Sequence, residues 1–188
     1  MKVYQYKDYD EYKRVQISGN KNKLDSCWAR KDDIELLSDY IKYNIPSPKF
    51  GICHGTRNGK EQQWFREFLK IEVIGTEIAP TASQFPHTIQ WDFHDVKDEW
   101  IGNVDFIYSN ALDHSYKPSE CLDTWMSCLK KDGCCVLEWT PEHDISTRLD
   151  PFGATEEEYE EMIKKKYKIT DKLESVSHKI RCLFFIVQ

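Results

Sequence analysis

Apolar positions along this chain recur at two spacings, and the switches between them mark out its elements. From Asp32 to Tyr43 the spacing is helical, with Ile34, Leu37, Tyr40 and Ile41 on one face. The stretch before it is charged and aromatic, so residues 1–47 read as a helical N-terminal extension that acts as a lid. Pro46 and Pro48 break the helix and introduce Lys49–Gly55, a β-type run that ends in a turn. From Asn58 helical spacing returns, with Trp64, Phe65, Phe68 and Leu69 opposed by Lys60, Glu61, Gln62 and Arg66. Glu72–Ile78 is then a second strand, which completes a βαβ unit. Thr88–Phe93 is a short third strand and Val104–Ser109 a fourth, apolar enough for the middle of a parallel sheet. Pro118 starts a helix carrying Leu122, Trp125, Met126 and Leu129, which stops near Lys131-Asp132-Gly133; Cys134–Trp139 is the fifth strand. Thr155, followed by three glutamates, is a helix start. Tyr167–Leu173 and Ile180–Val187 are β-like runs whose connection, Glu174–Lys179, is too short for a crossover helix, so they pair as an antiparallel hairpin.

Composition narrows what such a sheet can serve. A chain of 188 residues, 40% apolar and 13% aromatic, can bury one substantial core. With 32 acidic against 26 basic residues the net charge is -6, which disfavours a nucleic-acid partner. The seven cysteines are odd in number and two are adjacent, which fits reduced thiols in a cytoplasmic protein. Neither C-x-x-C nor H-x-x-x-H spacing occurs, so no metal is expected. The first residues form no apolar leader, and no apolar run is long enough to span a membrane.

The turn after the first strand reads Phe50-Gly51-Ile52-Cys53-His54-Gly55-Thr56-Arg57-Asn58-Gly59-Lys60-Glu61, with glycines where the backbone must turn tightly and offer N–H groups to a ligand. Glu77 ends the second strand, 22 positions on from Gly55, where a carboxylate can accept from both ribose hydroxyls. The turn resembles the G-x-G-x-G loop of class I S-adenosylmethionine-dependent methyltransferases, with Gly55 central and Cys53 and Arg57 in place of the flanking glycines. Parallel βα units finished by a hairpin resemble the same family. The resemblance covers residues 48–188. It implies a Rossmann-like α/β fold: an open, mainly parallel sheet with helices on both faces, a C-terminal antiparallel hairpin and the helical extension in front. It also implies S-adenosylmethionine as cofactor, with Asp92 accepting from the adenine amino group and Phe93 on the ring. Asn110 would face the cofactor's methionine portion, and Thr56 and Ile78 would add backbone or apolar contacts.

The expected activity is methylation of a small-molecule acceptor at oxygen or nitrogen. Such an enzyme aligns the acceptor and removes its proton. His114, whose ordinary pKa is near neutrality, is the candidate base, with Asp113 to orient it and Tyr116 near the acceptor. Glu138 and His143 after the fifth strand are further acid/base candidates, and Trp28, Arg30 and Lys31 are candidate lid residues. Asn110-Ala111-Leu112-Asp113 lacks the Asn/Asp-Pro-Pro-Tyr/Phe signature of enzymes that methylate exocyclic amines in DNA or protein glutamine. His87, His94 and His114 with Asp92, Asp95 and Asp113 carry no metal-ligand spacing. Two alternatives share the turn and the acid: a catalytically inactive Rossmann-like binding module, and a nicotinamide-dependent oxidoreductase, which would extend the parallel sheet.

Overall fold

A computed structural model describes residues 1–177 and 180–188. In chain order the elements are β1 (Lys2–Val3), α1 (Tyr9–Asn22), α2 (Lys31–Asn44), β2 (Phe50–His54), α3 (Lys60–Leu69), β3 (Glu72–Glu77), β4 (Thr88–Gln90) and β5 (Val104–Ser109). They continue with α4 (Pro118–Cys128), β6 (Leu129–Trp139), β7 (Phe152–Gly153), α5 (Glu156–Lys164), β8 (Ile169–Ser177) and β9 (Ile180–Val187). Seven strands form one sheet in the order β4-β3-β2-β5-β6-β9-β8, parallel up to β6 and antiparallel for the last two pairings. The chain runs outward from β2 in one direction, then returns to start β5 on its other side. The reversal opens a crevice at the carboxyl ends of β2 and β5.

Alternation along the central strands feeds two cores. Phe106 and Tyr108, Cys134 and Val136, and Phe184 and Ile186 pack with Ile34, Leu37 and Ile41 of α2 and Phe65 and Leu69 of α3. Ile107, Cys135, Leu137, Phe185 and Val187 face the other way, against Trp125 of α4 and Tyr159 and Ile163 of α5. Helices therefore cover both faces, as expected.

Several details differ from the sequence reading. The 1–47 segment holds two helices with different partners, because α2 is built into one core while α1 lies over the carboxyl edge of the sheet. The connections on either side of β4 are 3-10 turns, Pro80–Gln84 and Asp98–Trp100, in place of helices. Pro86 cannot donate and holds Phe85 before it in extended backbone, which stops the first of these turns at Gln84. β4 stops at Gln90, so Asp92 and Phe93 stand in the turn beyond it. Leu129 to Gly133 join β6 rather than ending α4, drawn into the ladder by Leu129 opposite Val104 and by a 2.8 Å contact from Lys130 Nζ to Asp105 Oδ1. In the hairpin, Glu174–Ser177 belong to β8, and residues 178–179 of the expected connection lie outside the described residues. The two-residue ladder of β1 and β7 had no counterpart in the sequence reading. The seven cysteines are free thiols, and among the described residues no helix is long and apolar enough to cross a membrane.

Candidate cofactor and acceptor site

The β2–α3 turn is shaped by Gly55 at φ +75°, where its N–H and that of Thr56 both donate to Thr76 O, at 2.9 and 3.1 Å. A Cβ at Gly55 would lie 2.5 Å from Ala111 Cβ, so the absence of a side chain lets the turn after β2 touch the turn after β5. Glu77, buried at the end of β3, accepts from Arg57 N at 3.1 Å and from Ala79 N at 2.9 Å. Burial raises its pKa, with the Ala79 amide, Asn20 and His114 pulling the other way. Asn20 Nδ2 faces this carboxylate without meeting hydrogen-bond geometry and is buried with no partner.

Two adjoining cavities follow the edge of the sheet. The first, about 50 Å³, has Gly55, Glu77, Ile78, Asp92 and Phe93 as its floor and Tyr12, Gln16, Gly19 and Asn20 of α1 as its roof. The second, about 340 Å³, is walled by Asn110, Asp113, Glu142, His143 and Asp150, with Lys23, Trp28 and Arg57 opposite. His114 and Ala111 line both.

Asp92 Oδ2 accepts from Tyr9 OH of α1 at 2.6 Å, while Oδ1 accepts from His94 N at 3.0 Å and pairs with His94 Nδ1 at 2.7 Å. Burial pushes this carboxyl up, but His94 and Tyr9 outweigh it and hold the pKa below the usual value. Ser115 Oγ accepts from Lys117 N and so has its hydrogen free for His94 Nε2, 2.8 Å away. Asn110 Nδ2 and Asp113 Oδ1 are buried without partners, and Asp113 Oδ2 lies 3.9 Å from His143 Nε2. His114 Nδ1 lies 3.0 Å from Gln16 Oε1, 3.1 Å from Leu149 O and 3.6 Å from Asp150 Oδ1. Asp113, His114 and Asp150 each bring one side-chain N or O atom within 4.8 Å of the others.

Of the residues singled out from the sequence, Gly55, Glu77, Ile78, Asp92, Phe93 and His114 thus meet around the first cavity, and Asn110, Asp113, His114 and His143 around the second. Thr56 lines neither: its amide is used by Thr76 O, and its buried hydroxyl lies beside Gly75 and Gln62. Glu138 accepts from Tyr108 OH at 2.6 Å, and burial raises its pKa. Tyr116 packs on Tyr12 and His94, and Arg30 pairs with Asp33. His87 and His94 do not join His114 in any cluster of metal-ligating groups among the described residues. Sequence reasoning missed Tyr9, Tyr12, Gln16, Asn20, Leu149 and Asp150. Its available signal was a helix in which Tyr12, Gln16 and Asn20 share one face.

A seven-stranded sheet in this order, with its crevice at the β2/β5 reversal, has the fold of the class I S-adenosylmethionine-dependent methyltransferases. Among solved structures, the chain is similar to the 1,6-didemethyltoxoflavin-N1-methyltransferase of Burkholderia thailandensis, solved with 1,6-didemethyltoxoflavin and S-adenosylhomocysteine bound, at TM-score 0.75 and 14% identity over 97% of this chain and 91% of that one. It is also similar to the N-methyltransferase NodS of Bradyrhizobium japonicum WM9 in complex with S-adenosylhomocysteine, at TM-score 0.69 and 12% identity over 92% and 97% of the two chains. The [4+2]-cyclase SpnF matches at TM-score 0.67 and 9% identity over 98% and 96%. At these identities the likeness is one of fold, and a cyclase among the matches illustrates that fold alone does not set the reaction. No protein-family model and no curated protein matches the chain.

Proposed function

We propose that this protein is a methyltransferase that uses S-adenosylmethionine to methylate a small-molecule amine. The observation that carries the reading is Glu77: a buried carboxylate on the floor of the first cavity, held by amides from the turns after β2 and β3, beside the left-handed Gly55. Glu77 would accept from the ribose hydroxyls, Asp92 from the adenine amino group, and Ile78 and Phe93 would flank the ring. Asn110, with its unpartnered Nδ2, would face the methionine portion, and Arg57 and Lys23 its carboxylate. Thr56 serves this site only by holding the turn. The donor set fits the cofactor, since unpartnered buried polar atoms stand in the walls where its polar groups would lie.

S-adenosylmethionine supplies a methyl group on a positively charged sulfonium. The chain's own part is alignment and proton removal. Asp113, Glu142 and Asp150 give the second cavity three carboxylates, which attract a cationic amine, and His114 takes the proton that the amine must lose before attack. The N-methyltransferases among the similar structures support nitrogen over oxygen as the acceptor atom.

Calorimetric titration with S-adenosylhomocysteine, with NAD as the control, tests the cofactor. Saturable binding is expected, at least tenfold weaker in Glu77→Gln. Preference for NAD would favour an oxidoreductase, and no binding of either would favour an inactive binding module.

A further inference from the structure

His114 belongs to the 3-10 turn Leu112–His114 and faces both cavities. Its Nδ1 is surrounded by oxygen atoms: Gln16 Oε1 at 3.0 Å, Leu149 O at 3.1 Å and Asp150 Oδ1 at 3.6 Å. Gln16 cannot be turned the other way without loss, because its Nε2 donates to Leu149 O at 2.8 Å and leaves Oε1 for the ring. An amide oxygen and a backbone carbonyl only accept, so Nδ1 must carry the hydrogen. The lone pair of the neutral ring is then on Nε2, which has no hydrogen-bond partner among the described residues. Free histidine in water prefers the opposite tautomer.

We propose that Gln16 and Asp150 are positioning residues that, with the Leu149 carbonyl, hold His114 as the Nδ1–H tautomer and so make Nε2 the atom that takes the acceptor's proton. The inference rests on the methyl-transfer reading of the site. In that step the acceptor N–H bond breaks and its proton goes to Nε2. The freed electron pair forms the bond to the methyl carbon, and the carbon–sulfur bond breaks with its pair passing to sulfur. The resulting imidazolium keeps its Nδ1–H on two oxygens, with the Asp150 carboxylate behind them to offset the charge. Gln16 belongs to α1, and the Leu149–Asp150 turn is held by Thr147 Oγ1, which accepts from Leu149 N at 3.1 Å and from Asp150 N at 2.9 Å. The base is thus complete only when α1 lies shut.

The test is long-range 1H–15N correlation of ¹⁵N-histidine-labelled protein saturated with S-adenosylhomocysteine. It is run at about pH 9, above the ordinary histidine range of about 6.5, and His114→Gln identifies the resonance. The Nδ1–H form is expected in at least tenfold excess. In Gln16→Leu/Asp150→Asn the ratio should fall at least tenfold while the signals of His54 and His94 stay in place. A dominant Nε2–H form in the wild type, or an unchanged ratio in the variant, overturns the proposal. If the double variant does not fold, the wild-type tautomer decides. Failure of S-adenosylhomocysteine to bind would sink the cofactor reading instead, and the tautomer would still be read from the unliganded protein.

Discussion

Glu61, in the first turn of α3, is 5% exposed, and one carboxyl oxygen has no partner. Burial pushes its pKa up to about 8, against its own backbone amide and Arg57, which pull it down. A carboxyl raised in this way keeps its proton in the folded chain between about pH 4.5 and 8, while the unfolded chain releases it. Its contribution to stability is therefore fully present below pH 4.5 and is lost as pH rises towards 8. At about 1.4 kcal/mol per unit this amounts to a few kcal/mol. Glu61→Gln, which mimics the protonated form, should flatten the dependence of the urea midpoint on pH between 5 and 8; parallel curves for variant and wild type would refute the buried, protonated state. Residues at this scale differ in how readable they were. Gly55 and Glu77 could be picked out because a turn and a strand end restrict what can stand there. Gln16 and Asp150 could not, since they reach His114 from 98 positions before it and from a surface turn well after it.

Among the elements, α1 does most to enclose the site, and it was the least readable. Its N-terminus is capped by Asp8, which accepts from Glu11 N at 2.8 Å, but the face it buries is Tyr12, Gln16 and Asn20. A helix that buries amides has no apolar stripe to announce it. β5 is the opposite case: all six residues are buried, and its bounds were legible from a mainly apolar run in which Asp105 is the one charged residue and Ser109 the last. Tyr9 OH now occupies Asp92 Oδ2, the position proposed for the adenine amino group, and the cavity beneath α1 is about 50 Å³. Sites for drug-sized ligands run to roughly 300–1,000 Å³, so the space beneath α1 would take the proposed cofactor only together with the adjoining cavity of about 340 Å³. Tyr9→Phe removes a competitor for Asp92 and should tighten S-adenosylhomocysteine binding about two- to tenfold, the worth of a hydrogen bond of about 0.5–1.5 kcal/mol. Weaker binding by the same factor would mean that Tyr9 closes over the ligand rather than standing in for it.

The whole molecule separates stability from function along the strand direction. At the amino end of the strands, Asp105 Oδ2 accepts from Lys49 N at 2.8 Å and Phe50 N at 2.9 Å, and Oδ1 meets Lys130 Nζ at 2.8 Å, tying the starts of β2, β5 and β6. Burial raises the pKa of this carboxyl, but Lys130 and the two amides outweigh it and the net value is lowered. Its contribution is thus present above about pH 4 and fades as the pH falls further. Asp105→Ala should cost about 1–3 kcal/mol in denaturant unfolding at neutral pH, with S-adenosylhomocysteine affinity within twofold of wild type. A large loss of affinity would show that the two ends are coupled. The sheet order was foreshadowed by alternating strands and helices, whereas the tie between the chain's first residues and the acceptor wall was not. Lys2 and Val3 pair with Gly153 and Phe152, Tyr4 N donates to Pro151 O at 2.8 Å, and Arg148 reaches Glu11 of α1 at 2.8 Å. These contacts join the roof of the first cavity to the wall of the second. For the proposed methyl transfer, that favours a compulsory order: cofactor first and acceptor second, then methylated product released before the spent cofactor, with the spent cofactor competing only against the fresh one.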